Sequence, residues 1–142
     1  MIYLLDNNVI SELWKPKPDP AVEAFVVASE WFIPSVVIAE IQEGAEAAPS
    51  PTRKAEINFR LDEFLTVHGA LVVSWDSDTA RTWGRQRHSP VTKRRPQPLW
   101  DSLIDALAVR IGATVATRDA KGFRHAQTYN PFSENTPGQP TS

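Results

Sequence analysis

MIYLLDNNVISEL, residues 1–13, decides how this chain is read. Ile2–Leu5 is a short apolar run bounded by polar residues, the pattern of a strand buried on both faces. Asp6 follows at once, and a carboxylate has little structural reason to stand at the end of such a strand. Residues 8–14 can form a short helix, stopped by Lys15-Pro16-Lys17-Pro18. The rest of the chain shows which fold carries this acid and which residues can meet it.

Asp19-Pro20 predicts a second helix, with Asp19 as N-cap and Pro20 in the first turn. Residues 31–34 read as a second strand, and Ser35 is placed to cap a third helix reaching about Ala47. Residues 52–68 are the clearest amphipathic helix, with Ile57, Leu61, Phe64 and Leu65 at helical spacing. Strand 71–74, helix 77–88, a Pro-containing loop over 89–98 and helix 99–111 follow, the last stopped by Gly112. Residues 113–117 form a fourth strand and 127–129 a short edge strand. Strands alternating with helices predict a parallel sheet covered on both faces, a three-layer α/β/α sandwich. Residues 1–132 form one domain, and residues 133–142, rich in Pro, Gly, Ser, Thr and Asn, read as a frayed tail.

A chain of 142 residues, 42% of them hydrophobic, has the size and the apolar content for one core. Cys is absent, which excludes disulfides and thiolate metal sites and fits a cytoplasmic location. No secretory leader and no apolar run of roughly 18 residues is visible, so no membrane association is expected. A net charge of −2 gives no bulk attraction to nucleic acid. The segment 81–95 is nevertheless locally basic, with Arg81, Arg85, Arg87, Lys93, Arg94 and Arg95 and no acid among them. Taken alone, such a run is a solvated helix face and loop.

Ligands in parallel sheets bind beyond the carboxyl ends of the strands, near the topological switch point. Asp6 stands there after the first strand, and Asp119 stands there after the fourth. Asp101 lies near the start of the helix after the Pro-rich loop, and Glu40 lies in VVIAEIQEG among core-facing apolar residues. Singly, each acid reads as a cap or a solvated side chain. Together they would repel, raising one another's pKa unless a cation neutralises them. Oxygen ligands without Cys favour Mg²⁺ or Mn²⁺, and a carboxylate-held divalent cation points to phosphoryl chemistry. His68, His88 and His125 have no ligand spacing, no Ser-His-Asp arrangement stands out, and no Walker-type loop is present.

The pieces LLDNNVISEL, IPSVVIAEIQEG, VSWDSDTARTWGRQR, DSLIDALAVRIGATVATRD and YNPF, in this order, resemble the PIN-domain family. Within it they are most similar to the VapC toxins of toxin–antitoxin pairs, on the FitB-like branch. The resemblance implies a metal-dependent endoribonuclease with an acidic quartet carried over onto Asp6, Glu40, Asp101 and Asp119. Asp6, Asp101 and Asp119 would be the metal ligands, and Asn8 and Thr117 would support them. It further implies an RNA substrate, a VapB-type antitoxin, a homodimer, and contact with DNA only through the antitoxin. Arg85, Arg87, Lys93, Arg94, Arg95 and Arg118 become RNA-binding candidates in this light. Two positions depart from the family pattern: Asn7 replaces the usual Thr or Ser, and Asp105 replaces a small apolar residue as a possible extra acid. The competing readings are a catalytically silent PIN-like binding module and a phospho-acceptor receiver domain. The receiver lacks its acidic pair here, because Asn7 and Asn8 follow Asp6.

Overall fold

The computed structural model describes residues 1–133. Of the expected tail, residues 134–142 lie outside the described residues. Ser133 is held rather than frayed: its N–H and hydroxyl donate to Asp19 Oδ2 at 3.0 and 3.1 Å.

In chain order the elements are β1 (Ile2–Leu5), α1 (Asn7–Leu13), α2 (Pro20–Ala28), β2 (Glu30–Pro34), α3 (Ser35–Glu46) and α4 (Pro51–His68). They continue with β3 (Val72–Val73), α5 (Ser77–Arg87), α6 (Pro90–Arg94), α7 (Leu99–Ile111), β4 (Thr114–Ala116) and β5 (Thr128–Tyr129). Single 3₁₀ turns lie at Gly69–Leu71 and Ala120–Gly122. The sheet order is β3-β2-β1-β4-β5 and every pairing is parallel. With helices on both faces, the fold is the three-layer α/β/α sandwich that the alternation of strands and helices predicts.

The chain moves outward from β1 to β2 and β3, then returns to build β4 and β5 on the other side. The direction of winding therefore reverses at β1, and the crevice between the carboxyl ends of β1 and β4 is the switch point. Leu5 pairs with Ala116 in register, so the residues that follow, Asp6 and Thr117, leave the sheet side by side.

Leu4, Leu5, Ile33 and Val115 are almost fully buried, as central parallel strands require. On one face Tyr3 meets Phe25 of α2 edge-on, and Phe25 stacks on Tyr129 of β5. Elsewhere α3 packs against α4 and α7, and α7 packs against α5. Gly112 ends α7 at φ +72°, the left-handed cap where a side chain is strained.

Two local expectations are corrected. Residues 89–98 are not all loop, because Ser89 caps a short helix, α6, through Thr92 N–H at 3.4 Å. Ser35 is not a cap either. Pro34 occupies the cap position without a side-chain hydrogen bond, while Ser35 Oγ accepts from the Trp75 N–H at 3.0 Å and ties α3 to the end of β3.

Candidate active site

Asp6 is the N-cap of α1, with Oδ1 accepting from the Asn7 N–H at 2.8 Å. Its own N–H continues the β1–β4 ladder by donating to the Ala116 carbonyl at 3.0 Å. The Thr117 hydroxyl donates to Asp6 Oδ2 at 2.7 Å. That hydroxyl also accepts from the Asp119 N–H at 3.0 Å and from Asn8 Nδ2 at 3.2 Å. Asn8 Oδ1 accepts from the Arg118 N–H at 3.2 Å. Asn8 and Thr117 thus stitch together the two loops that leave β1 and β4, and they fix Asp6 between them.

Asp101 lies in the first turn of α7 and Glu40 lies in α3, both half-buried, while Asp119 is exposed and caps the Ala120–Gly122 turn through Lys121 N–H. Gly122 rests directly on Asp101, since a Cβ built there would overlap the carboxylate.

The four acids share one electrostatic environment. Burial pushes Glu40 up to about 7, with the charges of Asp6 and Asp101 adding to it and the Asn7 side chain partly offsetting it. Burial also pushes Asp101 up to about 6, with help from Asp6, Asp119 and Asp105 and a small counterweight from Arg124. Asp6 is raised by burial and by Asp119, against hydrogen bonds from Thr117 and Asn7. Oε1 of Glu40 is buried with no hydrogen-bond partner among the described residues. Among the described residues no group of three or more His, Asp or Glu side chains stands ready-made to hold a metal ion. The site gathers carboxylate oxygens, hard donors of the kind Mg²⁺ or Mn²⁺ takes, and Glu40 Oε1 among them has no hydrogen bond from the described residues.

Asp105 is a different kind of residue. It is fully buried and accepts hydrogen bonds from Gln97 Nε2 at 2.8 Å and from the N–H groups of Arg124, His125 and Ala126. His125 Nδ1 lies 3.0 Å away, and the other ring nitrogen, Nε2, lies 2.9 Å from Ser89 Oγ. The fold therefore assembles a Ser89–His125–Asp105 chain that no sequence spacing announces. Its hydroxyl caps α6 and its carboxylate is spent on backbone donors, so the chain tethers α6 to the segment after β4. Gln97 Nε2 also donates to the Gly122 carbonyl at 3.0 Å, which links this hub to the glycine that supports Asp101.

The basic candidates are scattered. Lys93, Arg94 and Arg95 are exposed on and just after α6. Arg85 shares a shallow depression with Arg81, Asp78, Thr82 and Arg110. Arg87 lies over the Trp83 ring and donates to the Gln97 carbonyl at 3.4 Å. Arg118 lies 3.8 Å over the Phe132 ring, and its Nη2 lies 4.0 Å from Glu12; its buried Nε and Nη2 make no hydrogen bond among the described residues. Glu12 was not singled out in the sequence, yet it is buried, bridges to Lys15 at 2.9 Å and accepts from the Asp19 N–H. Gly122 and Arg124 escape sequence reasoning too; the one available signal is the small residue three positions after Asp119.

Comparison with known proteins agrees with this architecture. The model of the PIN domain matches residues 3–128. VapC ribonuclease Y4jK of Sinorhizobium fredii is 35% identical over 127 residues, covering 87% of this chain and 91% of that protein. Toxin FitB of Neisseria gonorrhoeae is 27% identical over 137 residues, covering 92% and 99%. The crystal structure of FitAcB from Neisseria gonorrhoeae superposes with a TM-score of 0.76 at 27% identity, covering 92% of this chain and 98% of that one. With its parallel sheet, its acids at the switch point and a family match across nearly its whole length, the chain belongs to the PIN-domain family.

Proposed function

We propose that this protein is a divalent-metal-dependent endoribonuclease and the toxin of a VapBC-type toxin–antitoxin pair. The observation that carries the reading is the cluster of Asp6, Glu40, Asp101 and Asp119 at the sheet's switch point, where burial and then neighbouring acid charges raise the pKa values of Asp6, Glu40 and Asp101. Similarity to a VapC ribonuclease and to Toxin FitB supports it.

Asp6, Asp101 and Asp119 would hold Mg²⁺ or Mn²⁺, which would supply Lewis-acid activation of a water and charge neutralisation at the phosphodiester and the departing 3′-oxygen. Glu40, at about 7, is poised near neutral pH to take a proton from the attacking water. Thr117 and Asn8 keep Asp6 in one orientation, and Gly122 limits the swing of Asp101. Water rather than a side chain is the nucleophile, so the products carry a 5′-phosphate and a 3′-hydroxyl. Exposed Lys93, Arg94 and Arg95, with Arg85, offer phosphate contacts at the periphery. A VapB-type antitoxin silences the site, the toxin acts as a homodimer in the cytoplasm, and DNA is met only through the antitoxin. No helix among the described residues is long and apolar enough to cross a membrane.

Purified wild type with Mn²⁺ is expected to cut RNA, while Asp6→Asn and Asp101→Asn lose at least about 100-fold in rate with an unchanged circular dichroism spectrum. Full activity in both variants would contradict the assignment.

A further inference from the structure

At Glu40 the acid cluster borders a cleft that the sequence does not reveal. From Asn7 and Glu40 a cavity of about 400 Å³ runs outward between α1, α3 and α4 to Trp14 and Lys15. The seven residues of α1, at about 1.5 Å each, separate its two ends by roughly 10 Å. Lys15, Arg53 and Arg60 line it, with Glu56 beside them and Ile41, Ile57 and Gly44 forming its floor and walls.

We infer that this cleft seats the single RNA strand flanking the scissile phosphate, with Arg53, Arg60 and Lys15 on its backbone and Trp14 beside a base. The inference rests on the ribonuclease reading above and adds where the substrate lies.

Four observations support it. The cleft is continuous with the site, because Glu40 and Asn7 belong to both. Its volume suits one nucleotide-sized group, at the lower end of what ligand clefts offer. Two of its three cations are exchangeable: Arg53 pairs with Glu56 at 3.1 Å and Arg60 with Glu63 at 3.7 Å, both within one helix turn and both largely exposed, whereas Lys15 is held by the buried Glu12. Such exposed pairs are weak, so a phosphate can replace the carboxylate. Finally, cations along a groove with an aromatic ring at one end are the equipment of single-strand binding, which needs no base-specific contacts. A duplex offers no unstacked base to such a ring.

Gly44 gives a steric test that leaves the charges alone. A Cβ there would meet no atom within 4 Å, so a side chain starts from Gly44 without a clash and Gly44→Leu is expected to narrow the cleft; an unchanged circular dichroism spectrum checks that α3 is intact. The experiment is steady-state cleavage of a labelled single-stranded oligoribonucleotide over a range of salt concentrations. It compares wild type, Arg53→Ala/Arg60→Ala and Gly44→Leu. The double variant is expected to raise KM about tenfold with kcat little changed, and to lower the slope of log affinity against log salt by about 1.4, from about 0.7 per single-strand phosphate contact. Gly44→Leu is expected to raise KM with the slope unchanged. If wild type cleaves and both variants keep its KM and slope, the cleft has another occupant, such as a protein segment, and this inference falls while the ribonuclease reading stands. If wild type cleaves no RNA with Mn²⁺ present, both fall.

Discussion

Gly122 has no side chain because the Asp101 carboxylate fills the space one would need. Its carbonyl is held by Gln97, so the backbone cannot drift away from the acid. Gly122→Ala is therefore expected to push Asp101 out of place and lower RNA cleavage at least about tenfold, since small displacements of a catalytic group cost that much or more. Unchanged kcat in a folded Gly122→Ala protein would remove the glycine from the account. Asn7, the departure from the family pattern, has a physical explanation here. Its side-chain oxygen accepts from Ser11 Oγ at 2.9 Å, and the side chain tempers the raised pKa of Glu40. An amide reaches where a shorter hydroxyl stops, so the substitution moves hydrogen-bonding capacity toward Glu40.

At the scale of elements, Asp105 organises the segment from α6 to β5. Three backbone N–H groups, Gln97 and His125 converge on its fully buried carboxylate. Asp105→Ala leaves those donors without an acceptor and is expected to destabilise the fold by about 3–5 kcal/mol, read by urea unfolding. A loss under about 1 kcal/mol would show that water replaces the carboxylate easily. These partners lie 8 to 21 residues away, in loops with no periodic pattern, so the hub could not be read from the sequence. The missed α6 was legible. Asp19-Pro20, Ser50-Pro51 and Ser89-Pro90 are one signature, each a capping side chain followed by a proline in the first turn. The cations and prolines after Ser89 obscured the third instance. Asp6, Asp101 and Asp119 were readable because strand ends and helix starts are local features, and a parallel sheet brings them to one edge. Glu40 needed its apolar neighbours as a guide. The cleft along α1 was not legible, because Lys15, Arg53 and Arg60 come together only when α1 and α4 pack about α3.

For the whole molecule, the acid cluster opposes folding in the absence of a cation. Glu40 titrates near 4.5 when unfolded and at about 7 in the fold, and Asp101 moves from 3.8 to about 6. Both folded values are raised, so the native state binds more protons than the unfolded chain between the two values. The stability associated with these groups is full below about pH 4 and falls as pH rises through about 6 to 7. After solvent screening the loss is on the order of 1 kcal/mol per group, a few degrees in Tm with EDTA present. If the site binds metal as proposed, a divalent cation is expected to reverse the loss by displacing the protons from these carboxylates. The most direct test is calorimetric titration of Mn²⁺ into the metal-free protein at pH 6.5, in two buffers of different ionisation enthalpy. Wild type is predicted to bind saturably and release protons, and Asp101→Asn is predicted to lose most of that binding while staying folded. No binding by wild type, or equal binding by the variant, would contradict the account.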